Sequence, residues 1–360
     1  TYPGQTHTQG RHIGLPLRYD DRNDDTMTNN QPILASGLRL RRPRITDAEA
    51  VAALTYAVCA ADGDATVAAS AEEIHHLWQD PGFDLAADAW VIEAADGKIV
   101  GYEELYNRHG FAAFEGDGYV HPDFPNQGIG TALLRAMEQR ARELAPQAEP
   151  DLQVYLRNGF GTKDQRAVEL HQNEGYAPVR YTWRMEIRLD EPPPAPAWTA
   201  GVELRPYDPD GQGRVLHAAS EETFKDHWGS VPISYETWQE KTVRRPGFDP
   251  SLYFVAWDGD QIAGMSLCRL KPDGMGWVGT LGVRRPWRKR GLGQALLLHS
   301  FGEFHRRGIH TVGLGVDAGS LTGATRLYRR VGMEVAHEYV IYQKTLRPGR
   351  APGYAENNDG

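Results

Sequence analysis

Val283-Arg284-Arg285-Pro286-Trp287-Arg288-Lys289-Arg290-Gly291-Leu292-Gly293-Gln294-Ala295-Leu296-Leu297 is the stretch on which the fold turns. The residues before it, Trp277 to Val283, read as a strand, and Gln294 to Arg307 place apolar side chains at helical spacing. The two glycines therefore stand where a strand turns into a helix. Gly291 and Gly293 lack the Cβ atoms that would block an anion, and the unpaired N–H groups of a first helical turn point outward with the positive end of the helix dipole. Arg288, Lys289 and Arg290 add full positive charges there, which suits a pyrophosphate and a ribose phosphate.

Working outward, the same pattern occurs earlier as Val120-His121-Pro122 through Gly128-Ile129-Gly130, 163 residues before Gly293 (293 − 130 = 163). A second pair of segments repeats in the same order. Pro81-Gly82-Phe83-Asp84, an apolar run and Asp96-Gly97-Lys98-Ile99-Val100-Gly101 are echoed by Pro246-Gly247-Phe248-Asp249, Leu252 to Trp257 and Asp258-Gly259-Asp260-Gln261-Ile262-Ala263-Gly264. An Asp-Gly pair between alternating apolar runs signals a tight hairpin, so each copy contains a meander. The repeat is a whole domain long. Consecutive prolines at 192–194, with Pro196, favour a stiff extended linker between the copies. The expected organisation is a polar arm over 1–37, a first domain over 38–190, a linker over 191–199, a second domain over 200–347 and a tail over 348–360. Met27 is a candidate natural start. Each copy reads as strand, helical pair, several strands, glycine-marked helix, strand, helix and final strand. That order predicts an α/β fold, a mixed and largely antiparallel sheet with flanking helices. In the second copy, Thr311 to Val316 reads as a strand, Gly323 to Val331 as a helix and Val335 to Lys344 as a last strand.

The chain has 360 residues, 40% hydrophobic and 24% charged, enough for two cores of ordinary size. Its net charge of −9 argues against a sequence-independent grip on nucleic acid, which needs a basic face. An amine or cationic partner fits better. The two cysteines, Cys59 and Cys268, have no spacing that makes a disulfide framework, zinc site or redox motif. With no apolar run of membrane-spanning length and no hydrophobic signal region, the expectation is a cytoplasmic protein without a membrane partner.

Arg288-x-x-Gly291-x-Gly293 after a strand resembles the acyl-CoA pyrophosphate loop of the GNAT acetyltransferases. Downstream, Leu314-Gly315-Val316-Asp317-Ala318 and then Gly323-Ala324-Thr325-Arg326-Leu327-Tyr328-Arg329-Arg330-Val331-Gly332-Met333 resemble that family's second signature. In outline, residues 38 to 346 are similar to mycothiol synthase and related actinobacterial two-domain acetyltransferases. The resemblance implies two tandem acyltransferase domains, acetyl-CoA as acyl donor, no metal, and direct attack of a small-molecule amine on the thioester. It also implies that the backbone of Leu281, Gly282 and Val283 pairs with the pantetheine amides, that 288–294 hold the phosphates, and that Tyr328 assists thiolate departure. Ser320 stands where the family often has a cofactor-contacting Asn.

A general base is not carried by any motif. Glu221-Glu222-Thr223-Phe224-Lys225-Asp226-His227-Trp228-Gly229 is the best local cluster, with Asp226 and His227 as candidates against the plainer reading of a solvated helix end. Trp228, Tyr235, Glu236 and Trp238 could line an amine pocket or simply pack their helices. The first copy departs from the pattern, with Pro125 in place of Arg288 and His171 in place of Tyr328. The reading is that it binds without turnover or serves as a structural half, with His171 left open as an alternative acid. Two other functions stay open: an acyl-CoA-binding sensor or scaffold, and a dinucleotide module. The latter is weakened by Leu296 where a third glycine would stand.

Overall fold

The computed structural model describes residues 34–65, 68–80, 82–225, 227–228, 230, 232–245, 247–271, 273–319 and 323–352. Most of the expected arm and tail, and Pro81 and Pro246 of the repeated segments, lie outside the described residues.

In the first copy, Arg39–Arg41 (β1) is followed by Ala48–Ala61 (α1) and Ala71–Trp78 (α2). Ser70 caps α2 by accepting from the Glu73 N–H while Glu73 reaches back to the Ser70 N–H, which satisfies two orphan donors. A single turn, Leu85–Asp88 (α3), leads into the meander Ala89–Glu93 (β2), Ile99–His109 (β3) and Ala113–Val120 (β4). Gly97 takes the left-handed conformation (φ 86°) in the hairpin between β2 and β3. Ile129–Leu144 (α4), Val154–Gly161 (β5), Gln165–Asn173 (α5) and Ala177–Arg188 (β6) complete the copy. Residues 191–199 form neither helix nor strand. The second copy runs in the same order. It comprises Val202–Arg205 (β7), Pro209–Phe224 (α6), Tyr235–Thr242 (α7), Tyr253–Asp258 (β8), Gln261–Leu270 (β9), Gly276–Val283 (β10), Leu292–Arg306 (α8), Thr311–Asp317 (β11), Ala324–Arg330 (α9) and Glu334–Arg347 (β12).

Among the described residues these strands form one 12-stranded sheet, ordered β1-β2-β3-β4-β5-β12-β6-β11-β10-β9-β8-β7. Only β4–β5 and β10–β11 pair in parallel, so the sheet is mixed and largely antiparallel. The copies exchange their last strands. β12 pairs along β5 (Ile341 opposite Gly159), while β6 pairs along β11 (Leu314 opposite Met185), and β6 and β12 pair with each other at the centre.

The cores follow the exchange. Met185 and Leu189 of the first copy bury with Leu296, Phe301, Val312 and Leu314 under α8, and Val340 and Tyr342 of the second bury with Leu133, Met137, Val154 and Leu156 under α4. Neither copy could keep its core without the other's strand. The helical pairs cover the opposite face, α1 and α2 over Val91 and Tyr102, α6 and α7 over Val255 and Met265.

Candidate functional site

In the second copy the parallel pairing of β10 with β11 ends at Val278 opposite Leu314, although β10 continues to Val283. A register shift between Val278 and Thr280 marks a bulge that turns the strand away. Beyond it, Leu281, Gly282 and Val283 stay paired with Ser266, Met265 and Gly264 of β9 on one edge only. Their other edge faces a splay between parallel strands and has no strand partner, so the outward groups of Leu281 and the Val283 N–H can meet an extended ligand, while the Val283 carbonyl accepts from Arg288. A Cβ on Gly279 would meet nothing closer than the Leu267 carbonyl at 3.4 Å. Gly282 has a different role, because a Cβ there would come 2.7 Å from Thr223 of α6, so its missing side chain lets the helix close on the strand.

The splay opens onto the turn into α8. Lys289 and Gly291 both take left-handed backbone, φ 64° and 84°, and Asn126 and Gly128 repeat the pair in the first copy at 57° and 77°. Such alternation makes a concave set of N–H groups at a helix start, with Leu292, Gly293 and Gln294 forming the first turn. Leu292 itself is buried, so it contributes only backbone to the cradle. A Cβ on Gly293 would make ordinary contacts with Leu327 and Val283, at 3.4 and 3.6 Å. Lys289 and Arg290 are exposed at the rim. Arg288 is placed differently, with Nε donating to the Val283 carbonyl at 2.9 Å and a terminal nitrogen to the Thr223 carbonyl at 3.3 Å. It fastens the loop to the strand end and to α6. Arg284 makes a similar fastening to Glu222 and the Ile262 carbonyl.

Tyr328 lies on α9, whose start is set by Gly323 in left-handed conformation (φ 73°). Its ring is 7% exposed within the core under α8, and its hydroxyl has no hydrogen-bond partner among the described residues. Burial pushes its pKa up to about 12, so the hydroxyl remains a donor across the physiological range. His171, in the corresponding place, is buried against Phe160, Tyr176 and Tyr342. Its Nδ1 donates to the Ala167 carbonyl at 2.8 Å, which leaves Nε2 as an unpartnered acceptor, and burial lowers its pKa. In that tautomer His171 offers a lone pair where Tyr328 offers a proton. His227 stands exposed beyond the end of α6 with its ring 4.7 Å from that of Phe224. Asp226 and Ser320 lie outside the described residues.

One cluster was not singled out by sequence reasoning. Glu104 of β3 and Asp117 of β4 gather in the first copy with Tyr102, Tyr106 and Tyr119. Glu104 accepts from the Tyr102 hydroxyl and, at 2.6 Å, from that of Tyr106, while Trp78 Nε1 donates to the Tyr102 hydroxyl at 2.8 Å and Tyr119 donates to Asp117 at 2.9 Å. Desolvation, with the Asp117 charge adding to it, pushes Glu104 up to about 7, and desolvation against the Tyr119 hydrogen bond pushes Asp117 to about 6. The available signal was an acidic pair inside the apolar run Ile99 to Leu105, where the second copy has Ser266 and Leu267. Glu103 lies across Gly118 on the other face, buried, with Oε1 unpartnered, and Met137 and Asn158 close over Gly116. The first copy's splay is thus filled by its own side chains, whereas Gly279 leaves the second open. Among the described residues no group of three His, Cys, Asp or Glu side chains is placed to hold a metal, and no helix is long and apolar enough to cross a membrane.

Comparison with known proteins bears on this geometry. The profile of the Acetyltransferase (GNAT) family matches residues 57–175 and 216–333, one match in each copy. The mycothiol acetyltransferase of Geodermatophilus obscurus is 30% identical over 79% of this chain and 89% of its own length. That of Catenulispora acidiphila is 27% identical over 84% and 97%. Among solved structures, a GCN5-related N-acetyltransferase from Sphaerobacter thermophilus is 40% identical, covering 88% of this chain and 98% of that one with a TM-score of 0.76. A tandem GNAT protein of the clavulanic acid pathway shares the fold at 19% identity, with 87% and 99% coverage and a TM-score of 0.62.

Proposed function

The chain belongs to the GNAT family of acetyl-CoA-dependent acetyltransferases, as a tandem-domain member, and from that premise we propose that it acetylates the primary amine of a small molecule by direct attack, with the chemistry in the C-terminal half. The observation that carries the reading is the splay of β10 and β11 beside the left-handed turn at Gly291; in support, Tyr328 is buried in the core under α8 and its hydroxyl has no partner among the described residues.

Acetyl-CoA supplies an activated acyl carbon and a thiolate leaving group. The N–H groups of 291–294 and the rim charges of Lys289 and Arg290 would hold its phosphates, with Arg288 shaping the loop. The free edge of Leu281 to Val283 would align the pantetheine amides and place an N–H where the carbonyl oxygen gains charge. Tyr328 would hydrogen-bond the departing sulfur. With a pKa near 12 against roughly 8.5 for a thiol, full proton transfer from Tyr328 runs uphill, so its contribution is a hydrogen bond while the amine's own proton is lost to a base. Asp226 and His227 remain the candidates for that base, and Ser320 for a further cofactor contact. The buried, unpaired thiols Cys59 and Cys268 fit a reducing compartment, which supports the cytoplasm as its location.

The raised carboxylates Glu104 and Asp117 favour a second reading, in which the N-terminal half turns over with one of them as base. Calorimetry with acetyl-CoA, together with thiol release over a panel of primary amines that includes desacetylated mycothiol, separates the two. Loss of turnover in Gly291→Glu and Tyr328→Phe with retention in Glu104→Gln supports the C-terminal site, and the reverse pattern supports the second reading. No acetyl-CoA binding by the unmodified chain would sink both.

A further inference from the structure

We propose that Arg157 is an anion-recognition residue of the acceptor site, so that the favoured acceptor is an elongated amine carrying a carboxylate or phosphate at its far end. The inference rests on the C-terminal site proposed above and adds the substrate class.

Arg157 is on β5 of the first copy, on the face opposite to Leu156 and Asn158, which bury under α4. Its guanidinium carbon lies 4.0 Å from the ring centroid of Tyr155 and 4.1 Å from that of Trp228, which belongs to the segment after α6 of the second copy. Nε donates to Gln343 Oε1 at 2.8 Å. The two terminal nitrogens have no partner among the described residues. The nearest influence of opposite sign, Glu115, is committed to Arg108 at 2.6 Å. Burial depresses the Arg157 pKa, the signature of a cation removed from water without a carboxylate in hydrogen-bond contact. A guanidinium stacked on two rings, with its terminal nitrogens unpartnered among the described residues, is preorganised for a bidentate anion.

Its position gives the length of the ligand. Trp228 also lies 5.4 Å from Arg180, which is paired with Asp317 at the end of β11, beside the splay. Val316 and Leu314 face the core under α8, so Asp317 faces the other side of the sheet. A donor seated on the α8 side with its chain in the splay presents its acyl end to that face. From β11 to β5 the sheet order passes β6 and β12, three strand spacings or roughly 14 Å; along the strands Asp317 is level with Gly161, four residues or roughly 13 Å from Arg157, an offset that the Arg157, Trp228 and Arg180 side chains bridge. An acceptor whose nitrogen reaches the splay can thus lay an anionic group on Arg157, along a floor built from the exchanged strands. Arg180 is already neutralised by Asp317, which leaves Arg157 to choose the anion.

The test is calorimetric titration of the full chain with 8-aminooctanol, 8-aminooctanoate and 8-aminooctyl phosphate, which share one chain length and differ in the terminal group. The expected result is at least about tenfold tighter binding of one or both anionic probes, with the stronger of them identifying the anion. Arg157→Met should bring the ratio close to one and Arg157→Lys should retain a few-fold preference, with thermal unfolding by circular dichroism confirming that each variant is folded. If Arg157→Met does not fold, the wild-type ratio and the lysine variant still decide. Equal affinity for all three probes, no binding of either anionic probe, or a preference that survives Arg157→Met would overturn the proposal. A parallel acetyl-CoA titration reports separately on the C-terminal site, so failure of that reading and failure of this one give different results.

Discussion

Replacing Tyr328 by Phe should separate catalysis from folding more cleanly than any other single change. The ring is 7% exposed in the core under α8, and Phe preserves its packing. The hydroxyl has no protein partner among the described residues, so its removal orphans nothing and relieves the desolvation that raises its pKa to about 12. Stability should change by less than about 1 kcal/mol, since Phe keeps the ring's packing and its removal of the hydroxyl breaks no hydrogen bond among the described residues. Catalysis should respond in the other direction. Losing a donor that acts on the leaving group lowers turnover by about 10²- to 10³-fold, or about 3 to 4 kcal/mol of barrier. The donor is needed mainly as charge develops on sulfur, so kcat should carry most of the loss and KM for acetyl-CoA little of it. The wild-type kcat should show no fall attributable to Tyr328 up to about pH 11, because the group is still protonated there. Steady-state thiol release and urea unfolding of both proteins supply the comparison. A variant whose kcat stays within threefold of wild type would refute the donor role, and a variant that loses several kcal/mol of stability would refute the account of its packing.

Gly291→Ala should weaken acetyl-CoA binding and cost about 1 kcal/mol of stability through left-handed strain alone, because φ is 84° and a Cβ there meets nothing within 4 Å; denaturant midpoints and calorimetry check both. Glu104 has a folded pKa raised to about 7, so the stability it contributes is present below the ordinary carboxylate value and lost as pH rises through about 7. Unfolding free energy should therefore fall by about 3 kcal/mol from pH 4 to 8 on its account, and Glu104→Gln should flatten that slope; an unaltered slope would contradict the assignment. Asp64 is buried with Arg184 of β6 and accepts from the Tyr339 hydroxyl at 2.8 Å. Asp64→Asn should cost about 3 kcal/mol by leaving a buried guanidinium undercompensated, towards the low side because Glu186 still pairs with Arg184 at 2.6 Å. Combining it with Arg184→Met should recover most of the loss in the same unfolding assay.

Local chemistry was legible in the sequence because it depends on neighbours in the chain. Gly97 and Gly259 marked hairpins that need left-handed backbone, and Gly291 marked a helix start for the same reason. The spacing that repeated Gly128 at Gly291 exposed two copies of one fold. Alternation and helical periodicity placed β10, α8, β11 and α9 to within a few residues, since burial of one face imposes those periods whatever the partner is. The same sequence did not indicate which partner each strand would take. β6 and β12 have similar patterns, and either could complete its own copy. Their exchange is decided by side-chain packing across the sheet, with Met185 under α8 and Tyr342 under α4. Nor could spacing show that Arg288 turns inward onto backbone carbonyls. The carboxylates at 104 and 117, 13 residues apart, meet only because β3 and β4 pair in register. Arg157 and Trp228, 71 residues apart in different copies, meet across the exchanged strands. Local backbone preference is written in short stretches of sequence, but the depth at which a charge is buried, and what lies against it, is a property of the whole packed sheet.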